Sequence, residues 1–238
     1  MTRLLSLLWC VFGVGVAGLV AAGDVEHATA VTFSDAETRM WMTDQLHSVS
    51  RPLSLHYEFH KSGSFEAELN FDDQVVLVIN KINADGSKNG TLRFFTGAHT
   101  FPAPAMENTT VNPILGHYLY GDVLQMNRLT DPEAQAHERW RYFQRAIKFA
   151  LADTAAVKAT SFAFDGRRWQ GYEISFVPYR RDPKRNLFEK FADKRYTVVV
   201  SDDLPGYLYR IETIIPGENP TQPLIREVLQ LIAVKPTQ

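Results

Sequence analysis

Short segments in which apolar and polar residues alternate recur along most of the chain, and they constrain its fold more than any other feature. Residues 53–59 carry Leu, Leu, Tyr and Phe at every second position, and residues 65–71 repeat the pattern with Phe, Ala, Leu and Phe. Because successive side chains of a strand point to opposite sides, this period of two predicts strands with one apolar face. Further strands are predicted at 75–82, 91–95, 157–164, 169–177, 196–200, 207–215 and 224–234. The last segment also fits a helix, and its many valines and isoleucines favour a strand.

Helices are predicted before the strands and in the middle of them. Ser34 and Glu37 match a capping box, which predicts a helix that ends at Pro52. Asn-Pro at 112–113 and Asp-Pro at 131–132 each predict the start of another helix. Since helices do not alternate with strands, a parallel α/β fold is excluded. The prediction is an α+β fold, in which a large curved antiparallel sheet of about nine strands, a half-barrel, wraps two or three helices.

The first 22 residues differ from the rest of the chain. Arg3 precedes an apolar run over residues 4–20, and Ala21 and Ala22 stand before Gly23. A positive start, an apolar centre and small residues at the end are typical of a secretory signal peptide. An uncleaved membrane anchor is the alternative, because about 19 apolar residues can just cross a bilayer. We predict a signal peptide over 1–22 and a single domain over 23–238.

The cysteine and charge contents limit which cellular compartment and which classes of partner fit the chain. The only cysteine, Cys10, lies inside the predicted signal peptide. A cleaved chain would therefore have no disulfide, no thiolate metal site and no cysteine nucleophile, which favours the bacterial periplasm over a eukaryotic secretory route. The chain has 25 basic and 27 acidic residues, and this near-neutral balance disfavours nucleic acid as a partner.

The order of elements resembles that of the bacterial periplasmic outer-membrane lipoprotein carrier superfamily. The shared order is a signal peptide, a helix, strands, a helical insertion and further strands, and it covers residues 34–234. The resemblance rests on this order and on the predicted export signal, not on a sequence motif. It implies a half-barrel fold and a periplasmic protein that carries lipid or the acyl chains of a lipidated protein.

Aromatic residues are concentrated in the predicted strands. If the helices fill the concave face incompletely, an apolar cleft for a greasy ligand remains. A loop predicted at 97–111 contains two prolines and is long enough to cover the mouth of such a cleft. Ordinary core packing of the aromatic side chains is the alternative. The alternation of apolar and polar residues predicts five residues that would line the cleft: Tyr57, Phe59, Phe65, Phe71 and Trp140.

Residues 180–195 carry seven basic and three acidic side chains. Asp182 and Pro183 predict the start of a short helix, with basic groups over an apolar side. Such a segment suits an anionic membrane surface or an acidic envelope protein, and a solvated helix is the alternative. The docking candidates are Arg180, Arg181, Lys184 and Arg185.

His56, Glu58 and His60 would share one face of a strand at about 7 Å spacing. These residue types bind zinc and similar metals, but the opposite face of that strand is apolar, so a solvated polar face is favoured. No nucleotide-binding or hydrolase motif occurs in the sequence. We therefore assign no catalytic residue, metal or cofactor.

The sequence favours a periplasmic, non-catalytic carrier of a hydrophobic ligand. The main alternative is an envelope assembly protein that docks through a sheet edge or through residues 180–195. A metal-dependent enzyme using His56, Glu58 and His60 is the third alternative.

Overall fold

A single antiparallel sheet organises the part of the chain that the computed structural model describes, residues 32–130, 139–219 and 221–237. Its strands are β1 (Leu53–Ser62), β2 (Phe71–Ile82), β3 (Lys88–Phe94), β4 (Met106–Thr109), β5 (Ala156–Phe164), β6 (Arg167–Phe176), β7 (Arg195–Val200), β8 (Leu208–Ile215) and β9 (Ile225–Pro236). They lie in the order β4-β3-β2-β1-β9-β8-β7-β6-β5, and neighbouring strands are antiparallel. The first and last strands therefore pair in the middle of the sheet, and β4 and β5 are its edges.

The helices begin largely where the sequence predicts. Helix α1 (Asp35–Glu37) starts with the predicted capping box, in which Ser34 Oγ accepts from Glu37 N at 3.0 Å. Helix α2 (Pro113–Thr130) starts behind Asn112, whose Oδ1 accepts from Ile114 N at 3.0 Å. Helix α3 is described as Arg139–Asp153. The start predicted for it at 131–132 lies outside the described residues, as does the predicted signal peptide.

The first helix is shorter than predicted. It continues as a single π-helical turn (Thr38–Met42) and ends there, not at Pro52. The Gln45 side chain donates to the Met40 carbonyl at 2.9 Å, and Leu46 N donates to the Thr110 carbonyl at 3.0 Å. These bonds compete with the next helical turn and tie the chain to the segment that leads into α2.

Two segments differ from the strand prediction. Residues 65–71 alternate in polarity, but only Phe71 belongs to a strand, and Leu69 is 77% exposed. The backbone of Ser64 and Phe65 bonds instead to the carbonyls of Pro223 and Leu224, which takes the segment out of the β1–β2 ladder. Conversely, the loop predicted at 97–111 contains strand β4.

Residues Ser34–Gln238 form one compact unit, and all members of its apolar core lie between Ala36 and Leu231. The core joins one face of the sheet to one side of α2 and α3. Burial of each large apolar side chain contributes about 1.5–3 kcal/mol. The α+β half-barrel prediction, one open antiparallel sheet with helices on it, is confirmed within the described residues. The members of the apolar core include Leu55, Leu77, Val198, Ile211 and Leu229 from the strands, and Ile114, Val123, Phe143 and Ile147 from the helices.

The turn at Gly206 yields a stability prediction. Gly206 has a φ of 81°, and a Cβ atom there would lie 2.2 Å from Leu55 Cδ1. Gly206→Ala should therefore lower the free energy of unfolding by about 2 kcal/mol, because it adds left-handed strain and a core clash. Gly86→Ala is the control, since Gly86 has a φ of 85° and open space around it. Urea denaturation measures the free energy of unfolding of both variants. Equal decreases would show that the clash with Leu55 does not destabilise the fold.

Candidate hydrophobic ligand site

Aromatic rings form two groups, one at the start of β2 and one that joins the loop at 95–105 to α2 and α3. The ring centroids of Phe71 and Phe95 are 5.7 Å apart, those of Phe101 and Tyr120 5.8 Å, and those of Tyr120 and Trp140 6.0 Å. All five side chains are half-buried and pack on the core. We call these five residues the aromatic strip.

A buried layer of rings lies beneath the aromatic strip and connects its two groups. Phe94 is 3% exposed and contacts both Phe95, at 4.7 Å between centroids, and Phe101, at 6.3 Å. The His117 ring of α2 packs between Phe94 and Phe101, at 4.9 and 4.6 Å. Phe59 of β1 lies 4.7 Å from Phe95. The strip is therefore the exposed edge of the core, and its rings are held by neighbours on both sides.

Backbone conformation at Phe95 creates part of this arrangement. Consecutive residues of a regular strand point to opposite faces. Phe95 instead has a φ of 65°, so its ring stays in contact with the ring of Phe94. A left-handed conformation is uncommon for a bulky aromatic residue and costs of order 1–3 kcal/mol. Such strain is concentrated at functional sites, which directs attention to this part of the sheet.

The loop at 95–105 is fastened to the sheet by Asp73. Asp73 Oδ1 accepts from Thr96 Oγ1 at 2.9 Å, and Asp73 Oδ2 lies 3.3 Å from His99 Nδ1. Burial opposes ionisation of Asp73, but hydrogen bonds from Gln74, Thr96 and His99 outweigh it and lower the pKa of this carboxyl. The His99 ring also stacks on Phe71 at 4.0 Å. The loop thus carries two rings of the strip, Phe95 and Phe101, and Asp73 holds it to the start of β2 through side chains.

The structure brings together three of the five predicted lining residues. Phe59 and Phe71 are in contact at 5.3 Å, and Trp140 joins them through the rings described above. Tyr57 lies elsewhere in the core, 1% exposed, and its hydroxyl donates to the Leu208 carbonyl at 2.9 Å. Burial raises the pKa of the Tyr57 hydroxyl. Tyr57 is therefore a core residue and is not part of the aromatic strip.

Phe65, the remaining candidate, also lies away from the strip. Its ring contacts Phe191 at 5.6 Å, and Lys190 Nζ lies 4.3 Å from its centroid. Sequence reasoning missed Phe95, Phe101 and Tyr120 as lining residues. Phe95 is the last residue of the strand predicted at 91–95, and Phe101 lies in the loop predicted at 97–111, where alternation gives no direction. Tyr120 lies in the helix predicted to start at 112–113, to which a period of two does not apply.

A band of buried polar side chains crosses the inner face of the sheet beside Phe71. The register pairs Lys61 with Glu227, Glu227 with Thr213, and Thr213 with Tyr196 across β1, β9, β8 and β7. All four are buried, although core-facing positions are normally apolar. Lys61 is also the register partner of Phe71, and its Nζ lies 6.0 Å from the Phe71 centroid. The band therefore begins at the aromatic strip.

Helix α2 completes this band with Gln125 and Asp122. Gln125 Nε2 donates to Glu227 Oε1 at 2.6 Å, and Gln125 Oε1 accepts from Lys194 Nζ at 2.8 Å. Lys194 Nζ lies 2.5 Å from Asp122 Oδ1, with both side chains at most 1% exposed. Asp122 Oδ2 accepts from the Tyr196 hydroxyl at 2.6 Å. The buried polar band comprises Lys61, Asp122, Gln125, Lys194, Tyr196, Thr213 and Glu227.

Charges within the buried polar band compensate each other. Within the band, two ammonium groups, of Lys61 and Lys194, face two carboxylates, of Asp122 and Glu227. Lys61 also pairs with the Glu68 carboxylate outside the band. Burial raises the pKa of the Asp122 carboxyl, and the Lys194 charge opposes that shift. A buried pair of this kind is costly to break by removal of one partner. The band therefore holds α2 to the sheet.

The predicted short helix takes the form of two 3-10 helices (Arg185–Leu187 and Glu189–Asp193), and Asp182 Oδ1 accepts from Lys184 N at 2.7 Å before the first of them. The predicted apolar side is present, because Phe188 and Phe191 are 2% and 6% exposed. Lys194 belongs to the buried polar band and is absent from the basic surface.

Two of the four docking candidates form ion pairs with Asp193, and two do not. Arg185 Nη2 lies 2.7 Å and Arg180 Nε 3.5 Å from this carboxylate. Arg181 and Lys184 are exposed. Half of the predicted docking charge is therefore paired within the segment itself.

The predicted metal candidates lie on the outer face of β1. His56 Nε2 is 2.9 Å from Ser54 Oγ, His60 pairs with Asp72, and Glu58 is exposed. Within residues 32–130, 139–219 and 221–237, no three His, Cys, Asp or Glu side chains are grouped so that they would hold a metal ion. In the same residues, no helix combines the length and the apolar character that a membrane crossing requires.

No family model and no curated protein matches the chain. Among solved structures it is similar to the lipoprotein LppX of Mycobacterium tuberculosis, with 10% identity over 86% of this chain and 99% of that chain and a TM-score of 0.32. LprF of Mycobacterium bovis gives 11% identity over 87% and 97%, with a TM-score of 0.33. A LolA superfamily protein of Nitrosomonas europaea gives 9% identity over 87% and 95%, with a TM-score of 0.22. At these values they are structures that the chain resembles, and its half-barrel fold is established by its own strand order.

Proposed function

We propose that the chain is a non-catalytic binding or carrier protein for a hydrophobic ligand in the bacterial periplasm. The ligand class is a lipid, or the acyl chains of a lipidated protein. The observation that carries this proposal is the aromatic strip, in which five half-buried rings from four segments of the chain form two groups that the buried Phe94 connects. Contiguous apolar groups at a protein surface mark interaction sites, whereas scattered ones are ordinary.

Binding at the strip would be driven by desolvation. Each methylene that leaves water contributes about 0.8 kcal/mol, so several methylenes against these rings hold an acyl chain reversibly. The loop at 95–105 carries two of the rings. Its hydrogen bonds to the sheet are those of Asp73 and two backbone bonds, from Phe95 N to Gln74 O at 3.1 Å and from Phe101 N to Phe94 O at 2.9 Å. Segments with few backbone ties open at low free-energy cost, which suits admission of a ligand.

Removal of the Phe101 ring should weaken binding of a hydrophobic probe. We expect Phe101→Ser to raise the Kd of the fluorescent probe N-phenyl-1-naphthylamine at least about tenfold, equivalent to about 1.4 kcal/mol. Phe162→Ser is the matched control. Phe162 is also half-buried and stacks on Tyr209 at 3.9 Å, but it lies on the other face of the sheet. Unchanged binding by Phe101→Ser, or an equal loss in both variants, would contradict the proposed site. Urea denaturation of both variants separates lost binding from lost folding.

A second candidate function is docking of another envelope protein, and the β5 edge favours it. Strand β5 pairs with β6 through nine consecutive residues without a bulge, and it contains no proline. The other edge, β4, has four residues and an irregular register. Long, regular edges accept an added strand from a partner. Native mass spectrometry of protein purified from the periplasm distinguishes the two functions, because bound lipid supports the carrier and a bound polypeptide without lipid supports docking.

A further inference from the structure

The outer face of α3 combines cations with one highly exposed aromatic side chain. Arg141, Arg145 and Phe149 follow each other at four-residue spacing, so they lie on one side of the helix. All three are exposed, and Phe149 is 71% exposed. The opposite side of α3 is buried in the core through Phe143 and Ile147, at 0% and 3%. The helix thus has a fixed inner side and an outer side that faces away from the core.

The charge of α3 is one-sided. Within its described residues, Arg139–Asp153, it contains four basic residues and no acidic residue before Asp153. The chain as a whole has a net charge of −2. Positive charge is therefore concentrated on this helix.

Two cations of the 180–195 segment extend the same surface. The Tyr142 hydroxyl of α3 donates to Asp182 Oδ1 at 2.5 Å, and Lys184 Nζ lies 5.6 Å from the Tyr142 ring centroid. Arg181 and Lys184 are both exposed. The cationic face is defined as Arg141, Arg145, Phe149, Arg181 and Lys184.

We propose that the cationic face docks on an anionic membrane surface and inserts Phe149 among the lipid headgroups. Basic side chains that flank an exposed aromatic ring are the pattern of interfacial helices, which combine attraction to anionic lipid with burial of the ring. A protein partner would need a pocket shaped for Phe149, whereas a bilayer accepts the ring without one. This inference does not depend on the aromatic strip, and it adds a site of membrane contact to the proposed function.

Vesicle sedimentation tests the inference on a chain that starts at Gly23 and so retains the whole compact unit. We expect binding to mixed phosphatidylglycerol and phosphatidylcholine vesicles, weaker binding to pure phosphatidylcholine, and a decrease with added salt. Arg145→Glu with Lys184→Glu should reduce binding to the anionic vesicles at least about tenfold. Phe149→Ser should reduce it several-fold and leave the salt dependence unchanged.

Matched controls use exposed residues elsewhere. Lys81→Glu with Arg93→Glu reverses two charges on β2 and β3, and Leu69→Ser removes a side chain that is 77% exposed. Both controls should bind like the parent chain. Absence of binding to anionic vesicles, or equal losses in the controls, would overturn the inference. Attachment to an acidic protein but not to vesicles would overturn it as well.

A spectroscopic measurement checks the insertion itself. The only cysteine of the sequence is Cys10, so Phe149→Cys in the chain from Gly23 provides a single thiol for an environment-sensitive dye. The dye emission should shift to the blue with anionic vesicles and stay unchanged with pure phosphatidylcholine. A dye at Leu69→Cys should not respond. Equal responses at the two positions would contradict insertion at position 149.

Discussion

Asp122→Ala is expected to lower the free energy of unfolding by about 3–5 kcal/mol, because it leaves a charged ammonium unpaired in the core. Lys194 is 0% exposed, and its Nζ lies 2.5 Å from Asp122 Oδ1. After the substitution, Lys194 would retain the neutral Gln125 amide oxygen at 2.8 Å, and the Tyr196 hydroxyl would lose its carboxylate acceptor. Urea denaturation at neutral pH measures the loss.

An exposed ion pair gives the control for this prediction. Asp193 pairs with Arg185 at 2.7 Å, but both side chains are at least one-third exposed. Asp193→Ala should therefore cost less than about 1 kcal/mol. The double variant Asp122→Leu with Lys194→Met removes both charges and should regain at least half of the loss. A loss for Asp122→Ala no larger than that for Asp193→Ala would show that Lys194 reaches water.

The second large effect is a dependence of stability on pH that arises from His117. Burial between Phe94 and Phe101 lowers the pKa of the His117 imidazole to about 4, from an ordinary value of about 6.5. Between these two values the unfolded chain binds a proton that the folded chain does not. Stability from this group is therefore fully present above about pH 6.5 and is lost as the pH falls towards 4, by at most about 1.4 kcal/mol per pH unit.

His117→Leu isolates this contribution. The side chain is 8% exposed, and within the described part of the chain its Nε2 atom has no hydrogen-bond partner. Leucine should therefore be tolerated at neutral pH within about 1 kcal/mol. Urea denaturation across pH 4–7 should show a steeper loss of stability for the parent than for the variant. Parallel curves would show that His117 is protonated in the folded chain as readily as in the unfolded one.

Alternation predicted the sheet because one periodic signal decides both the strand and its buried face. Residues 53–59 show this well, since Leu53, Leu55, Tyr57 and Phe59 are all buried. The same reasoning was wrong for 65–71, where the chain turns back to contact residues 223–224. The alternation depends only on the polarity of neighbouring residues. It cannot predict backbone hydrogen bonds to residues that are distant in the sequence.

The candidate site could be predicted only in part. Phe59 and Phe71 were found because their strands have a clear inner face. Phe95 was missed because its left-handed backbone breaks the alternation. The buried polar band was missed although a signal exists, since Lys61 continues the apolar positions 53–59 and Glu227 interrupts those of β9. A charged residue in phase with an apolar face predicts a buried partner, and that partner becomes known only from the register.

The pairing of β1 with β9 in the middle of the sheet has a consequence for how the protein is made. Leu53, the first residue of β1, is aligned with Pro236, the last residue of β9. A chain that emerges with its amino-terminal end first therefore cannot complete the centre of its sheet until the last strand, β9, has emerged. Such a long sequence separation slows folding. Any premature stop that deletes β9 should leave two half-sheets with unpaired inner borders, which are templates for aggregation.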